Sequence, residues 1–268
     1  MNLKTSLACL ASVLLVLPAV TARANTAIQN GQTLAFLGDS ITQGGWGSRQ
    51  GYVRLIVEGL ATNGVTVRPV PAGISGHKSN QMLQRLDRDV LRRNPQWMTL
   101  SCGVNDVWHG EKGVPLDQYK TNITAIVDQC RKAGVQVVLL TSTPIGENLD
   151  NGNNAKLAAY NEFLRTLARE KQCRLADLSA DFHAAIKART ATGATGNGFT
   201  TDGVHMNAAG NRLMAVGVLR ALGLDEAQMR KAETFWDDSL KAARAAAATQ
   251  PKPAPAPPGP TAPSKAQP

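Results

Sequence analysis

The chain reads as an α/β protein, a three-layer α/β/α sandwich built on a parallel sheet of about five strands. Two features of the 268-residue sequence predict this. Short β-branched or apolar runs, each closed by Gly, Pro or a polar residue, recur along it. Segments with apolar residues at helical spacing stand between them. Strands that alternate with helices run parallel, because each connection crosses back over the sheet, and helices then cover both faces.

The strand signals, in order, are Thr33 to Leu37, Val65 to Val70, Trp97 to Ser101, Val135 to Thr141 and a weaker Arg174 to Leu178. The helical segments between them are Tyr52 to Leu60, Met82 to Leu91, Tyr119 to Cys130 and Leu157 to Ala168. In the third of these, Ile123, Ile126, Val127 and Cys130 share one face. Arg85, Arg88, Arg92 and Arg93 fit the wet face of a helix, and His183 sits at a helix start where exposure is expected. Asn207 is a good N-cap for a last core helix over Ala208 to Leu219.

The two ends differ from this pattern. Lys4, the apolar stretch Leu7 to Val20 and the ending Ala22-Arg23-Ala24 together read as a signal peptide over residues 1–24, cleaved after Ala24. The apolar run is shorter than the roughly 20 residues of a spanning helix. Cys9 lies too early in it for a lipoprotein cleavage site. The chain is therefore expected to be secreted or periplasmic, with no transmembrane segment once the signal is removed. Residues 25–224 form the compact domain and 225–248 an Ala-rich helix, while 249–268 make a Pro-rich tail too poor in apolar side chains to pack.

Composition narrows the function classes. After the signal, Cys102, Cys130 and Cys173 remain, an odd number that makes no disulfide framework. Three buried thiols are expected, with a Cys130–Cys173 bridge as the alternative. The net charge of +9 permits contact with acidic polymers, but no Lys/Arg cluster with interleaved aromatics occurs, and nucleic acid is not an expected partner. Asn122-Ile123-Thr124 matches a glycosylation sequon but falls within a helical pattern.

The chemistry-bearing residues lie where apolar runs end. Gly38-Asp39-Ser40 puts a hydroxyl at a strand tip, and Asp202 and His205, three residues apart, offer a carboxylate and an imidazole. Gly73-Ile74-Ser75-Gly76 and Gly103-Val104-Asn105-Asp106 follow two further apolar runs and can donate hydrogen bonds to an oxyanion. In open parallel sheets ligands bind beyond the carboxyl ends of the strands, so these motifs fall on one rim. Each alone has a plainer reading as a turn or a helix cap. The four in this order, from about Thr33 to Leu222, resemble the SGNH, or GDSL, hydrolase family.

The resemblance implies a flavodoxin-like sheet and a set of roles. Ser40 matches the nucleophile, His205 the base and Asp202 the acid that orients it. The oxyanion donors are the backbone N–H groups of Ser40 and Gly76 and the side-chain amide of Asn105, with Gly73 a turn residue. Ile41 stands where the name-giving leucine would be, and Cys102 replaces a common glycine. Neither removes a reacting group. His77 and His109 directly follow two of the blocks and are candidates for lining the substrate pocket, with a surface role as the alternative. No metal and no organic cofactor is implied. His-Glu-x-x-His and paired-cysteine spacings are missing, as are the Gly-x-Ser-x-Gly elbow and the Gly-x-Gly-x-x-Gly fingerprint.

The function expected is a secreted monomeric serine esterase that removes short acyl groups, acetyl above all, from carbohydrates through an acyl-enzyme. A lysophospholipase or thioesterase is the alternative enzyme, and a catalytically inactive cell-wall-associated binding module the alternative from another class.

Overall fold

The computed structural model describes residues 26–248. The signal and tail assignments lie outside these residues. Five strands form one sheet: β1 (Thr33–Gly38), β2 (Arg68–Gly73), β3 (Trp97–Ser101), β4 (Gln136–Leu140) and β5 (Arg174–Ala176). Nine α-helices are described with them: α1 (Ser40–Gly47), α2 (Tyr52–Thr62), α3 (Ser79–Asp89), α4 (Val104–Trp108), α5 (Leu116–Lys132), α6 (Gly152–Glu170), α7 (Leu178–Ala191), α8 (Ala208–Ala221) and α9 (Glu226–Ala248).

All strand pairs are parallel, in the order β2-β1-β3-β4-β5. The connection from β1 runs toward one edge, and those from β2 onward run toward the other. Right-handed crossovers therefore place the intervening helices on opposite faces. The contacts agree: α2 packs on α1, α8 and α9, whereas α5 packs on α3 and α6. Every residue of β1 and β3 is buried, as expected of central strands covered on both sides.

The fourth helical segment and the third keep their expected faces. Ile123, Ile126, Val127 and Cys130 on α5 are fully buried. Leu157, Leu164 and Leu167 on α6 are nearly so. The second strand is displaced from its sequence signal, lying at Arg68–Gly73 rather than Val65 to Val70. It is an edge strand, and Pro69 and Pro71 lie two residues apart with their missing N–H groups on the same side, which only an unpaired edge tolerates. Val65 and Val67 are buried in the approach to it.

Arg85 is not on a wet face. It is 4% exposed and reaches the strand ends, whereas Arg88, Arg92 and Arg93 are exposed as expected. His183 is half-buried in the second turn of α7 rather than exposed. All three thiols are free; Cys102 and Cys130 are buried, and Cys173 is only partly so. Asn122 is buried and donates to Ser79 Oγ at 3.0 Å, so the sequon is a packed structural residue. Beyond the core, α9 docks through Met229, Ala232 and Trp236.

The sheet's strand order reverses between β1 and β3, which opens a crevice beyond their carboxyl ends. Ser40 follows β1 and Asn105 follows β3. The topology thus brings these two motifs to neighbouring strand tips, although 65 positions separate them in the numbering.

Candidate active site

β1 ends in Gly38, and α1 begins two residues later. The turn is tight because Gly38 and its register partner Gly73 have no side chains. A Cβ on Gly38 would lie 2.0 Å from Thr42 Oγ1, and one on Gly73 would lie 2.3 Å from the backbone nitrogen of Gln43. Gly73 is accordingly the last strand residue under α1, not a turn residue. Asp39 caps the helix, its Oδ1 accepting from the Ile41 N–H at 2.9 Å. Ser40 is the first helical residue, and its N–H meets no acceptor among the described residues.

His205 Nε2 lies 2.9 Å from Ser40 Oγ, and His205 Nδ1 lies 2.7 Å from Asp202 Oδ2. The other Asp202 oxygen accepts from the N–H groups of Val204 and His205, at 2.9 and 2.8 Å. Burial alone would raise the Asp202 pKa, but the imidazole and these two N–H groups outweigh it and hold the carboxyl at about 2. It is therefore ionised throughout the neutral and mildly acidic range. The pair is far from sealed, with the side chains of His205 and Asp202 41% and 51% exposed.

On the other side of Ser40, the Asn105 amide donates to Asp39 Oδ2 at 3.3 Å and to the His77 carbonyl at 3.2 Å. It thereby bridges the residue before Ser40 and the residue after Gly76. Gly76 has φ +74°, a left-handed conformation suited to glycine, and its N–H also meets no acceptor among the described residues. The His77 ring accepts at Nδ1 from Arg85 Nε at 3.1 Å, so only Nε2 is left to meet a ligand. Burial first, then the Arg85 charge, lowers the His77 pKa. His109 is exposed at the end of α4, its ring centroid 6.1 Å from that of Trp108, and among the described residues no hydrogen bond or ring contact ties its side chain to the other site residues.

Several residues that hold the site carry no motif. The Gln43 side chain accepts from the Ser75 N–H at 2.9 Å and pins the loop before Gly76 to α1. Glu147 accepts from the N–H groups of Gly198, Phe199 and Thr200 and from Thr200 Oγ1, all at 2.7 or 2.8 Å. The Gly146 N–H donates to the Gly203 carbonyl at 2.7 Å. The loop after β4 therefore carries the segment that presents Asp202 and His205. Only Glu147's position after Thr143-Pro144, a polar break at a strand end, could have drawn notice to it in the sequence. Asp106, also buried, accepts from the Ser79 N–H at 3.0 Å and joins α4 to α3. Among the described residues, no cluster of three or more His, Cys, Asp or Glu side chains is placed to hold a metal ion. Among the same residues, no helix is long and apolar enough to cross a membrane.

Fold and site define the class, a hydrolase of the α/β/α sandwich type. The family follows from comparison: the model of the GDSL-like Lipase/Acylhydrolase family matches residues 36–213, and the chain belongs to that family. An acetylxylan esterase of Geobacillus stearothermophilus is 27% identical over 222 residues, 76% of this chain and 99% of that protein. The crystal structure of an acetyl xylan esterase, AlAXEase, is 34% identical, covers 71% of this chain and 99% of its own, and superposes with a TM-score of 0.67. The esterase TesA of Pseudomonas aeruginosa is 34% identical over 133 residues, which span 60% of that protein. The relatives are esterases, and the chain is a carboxylic ester hydrolase.

Two outcomes follow from the site's electrostatics. Burial, opposed by the Ile41 N–H and reinforced by the Asp106 charge, lifts the Asp39 pKa to about 6. The unfolded chain ionises Asp39 near its ordinary value, so between about pH 4 and 6 folding opposes an ionisation that unfolding allows, and stability falls as pH rises. The shift corresponds to roughly 3 kcal/mol. In urea denaturation across pH 4 to 7, the stability of wild type relative to Asp39→Asn should fall by up to that amount; parallel profiles would show that Asp39 does not titrate in this range. Glu147→Gln replaces a charged acceptor by an amide whose NH2 faces backbone donors. It should cost about 2 kcal/mol of stability and lower kcat more than KM, read by denaturation and kinetics on p-nitrophenyl acetate. An unchanged kcat and midpoint would show that the loop needs no such clamp.

Proposed function

We propose that the protein is an exported carbohydrate acetyl esterase whose nucleophile is Ser40. The observation that carries the reading is the hydrogen-bonded row from Asp202 through His205 to Ser40, at 2.7 and 2.9 Å, at a strand tip of an esterase-family sheet. Support for the substrate class comes from the acetylxylan esterases that match this chain over nearly their whole length. Two solved forms of the Geobacillus stearothermophilus enzyme are catalytic mutants, one serine to alanine and one aspartate to alanine, which fits a serine and an aspartate at the centre of the chemistry.

The steps follow from what each group can do near neutral pH. A serine hydroxyl is scarcely ionised there, so His205 Nε2 takes the proton while Ser40 Oγ forms a bond to the ester carbonyl carbon. Asp202, ionised, accepts from Nδ1 and offsets the charge that develops on the ring. The carbonyl oxygen becomes an oxyanion facing the N–H groups of Ser40 and Gly76, both of which lack an internal partner. Asn105 adds its amide. Its two contacts in the free protein, at 3.2 and 3.3 Å, are at the long end for hydrogen bonds, and a full negative charge displaces one of them. The bond to the alcohol oxygen then breaks as Nε2 returns the proton to it. Water, deprotonated by the same nitrogen, hydrolyses the acetyl-Ser40 ester and regenerates the free hydroxyl.

His77 and His109 are proposed as contacts to the substrate at the edge of the site, with Nε2 of His77 as the available donor. Export is proposed from residues 1–24, read as a signal peptide cleaved after Ala24.

Ser40→Ala should keep the fold and lower kcat/KM on p-nitrophenyl acetate and on acetylated xylan by more than about ten-thousandfold. Near-wild-type turnover in a folded variant would sink the assignment. Asn105→Ala should lower kcat about a hundred- to thousandfold with little change in KM, because the lost donor acts on charge formed in the transition state. Asn105→Asp should be worse, since it sets a carboxylate beside the oxyanion. If kcat survives either change, Asn105 only braces the loop through Asp39 and His77.

A further inference from the structure

We infer that the cleft on the His205 side of Ser40 is the subsite for the alcohol half of the ester, and that it is built for a hydroxyl-rich ring. The inference rests on the esterase reading above and adds which wall of the site the sugar meets. A cleft of about 220 Å³ opens beside Ser40 and His205, walled by Gly44, Ser48 and Gln50 from α1 and the loop after it. Neither Gly76 nor Asn105 lines it.

The chemistry assigns the two sides. In the tetrahedral intermediate the former carbonyl oxygen faces the oxyanion donors. The departing alcohol oxygen must instead face His205 Nε2, which returns the proton as the carbon–oxygen bond breaks. Whatever is attached to that oxygen therefore extends on the imidazole side, away from Gly76 and Asn105. The cleft lies in that direction.

Its walls match a sugar better than a hydrocarbon chain. The Gln50 side-chain amide makes no hydrogen bond among the described residues, and Ser48 Oγ accepts from the Gln50 N–H at 3.3 Å with its own proton free to donate. By contrast, Asn211 lines the same cleft but is occupied by the fold, accepting from the Tyr52 N–H and donating to the carbonyls of Met206 and Asn207. An apolar group in the cleft would strip water from Gln50 and Ser48 and leave them unpaired, whereas ring hydroxyls replace that water. Gly44 leaves the floor open: it is exposed, and a Cβ there would meet nothing within 4 Å. The volume is below the roughly 300–1,000 Å³ of a drug-sized pocket, which suits one ring at a time.

The test separates alcohol from acyl recognition in the full-length protein. Wild type, Gln50→Ala and Gly44→Phe are compared on methyl acetate against acetylated xylo-oligosaccharides, and on p-nitrophenyl acetate against p-nitrophenyl butyrate. Gly44 is in helical backbone, where a larger residue is not strained, and circular dichroism checks the fold. In both variants kcat/KM for the oligosaccharide relative to methyl acetate should fall about tenfold, mainly through KM, while the acetate-to-butyrate ratio moves less than about twofold. A shift in the acyl ratio with the alcohol ratio intact would make this the acyl pocket and overturn the inference. So would two unchanged ratios, which would show that no part of the substrate enters the cleft. If wild type itself hydrolyses methyl acetate but not the oligosaccharide, the carbohydrate reading fails instead, and the sugar subsite with it.

Discussion

A guanidinium with almost no solvent of its own sits beneath the rim of the sheet, and the site is built outward from it. Arg85 donates from Nη2 to the Gly38 carbonyl and from Nη1 to the Ala72 carbonyl, both at 2.8 Å, and from Nε to the His77 ring at 3.1 Å. These are the tips of β1 and β2 and the residue after Gly76. Burial of such a charge is unfavourable and lowers its pKa; Asp89, whose Oδ2 lies 3.1 Å from Nη1, opposes that shift. A cation so placed is tolerated only when its N–H groups are matched by acceptors, so it fixes those acceptors in return. Gly38 sets where Ser40 stands, and the His77 carbonyl sets where the Asn105 amide points.

The two halves of the site are held by different means. Ser40, Gly76 and Asn105 belong to the tips of β1, β2 and β3, which are tied together by sheet pairing, by Arg85 and by buried Asp39 and Asp106. Asp202 and His205 come from an irregular segment with no strand of its own beyond the isolated bridge between Thr200 and Met206. That segment borrows its order from the loop after β4 through Glu147 and Gly146, and from Asn207, which caps α8. The imidazole and its carboxylate, 41% and 51% exposed, are consequently far more open than Asn105, which is 5% exposed. That openness suits the bulky polymer substrate proposed above.

Much of this was legible because it depends on short-range pattern. Glycine, aspartate and serine after an apolar run announce a strand that turns into a helix, and the turn needs those residues for steric and capping reasons. Asp202 and His205 are close in the chain, so their pairing is local and readable. Arg85 misled because helical spacing alone puts it with Arg88 and Arg92; its burial depends on the carbonyls of two distant strands, which no local pattern encodes. Glu147 escaped notice for the same reason, since its partners lie some fifty positions downstream. The displaced β2 shows a third limit: its prolines argue against a strand until the neighbour on one side is known to be missing.

By itself, then, the sequence determined the layered α/β class, the approximate place of every strand and the types of side chain at the candidate site, because periodicity, turn chemistry and functional side chains are properties of short segments. Only the tertiary structure decided the strand order that sets β1 beside β3, the 2.9 Å meeting of Ser40 with a histidine 165 positions away, the buried arginine under the rim and the cleft on the imidazole side. Those are relations between segments far apart in the chain. They are fixed by which packing buries the apolar faces while pairing nearly all the buried polar groups at once, and that condition exists only once the chain has folded.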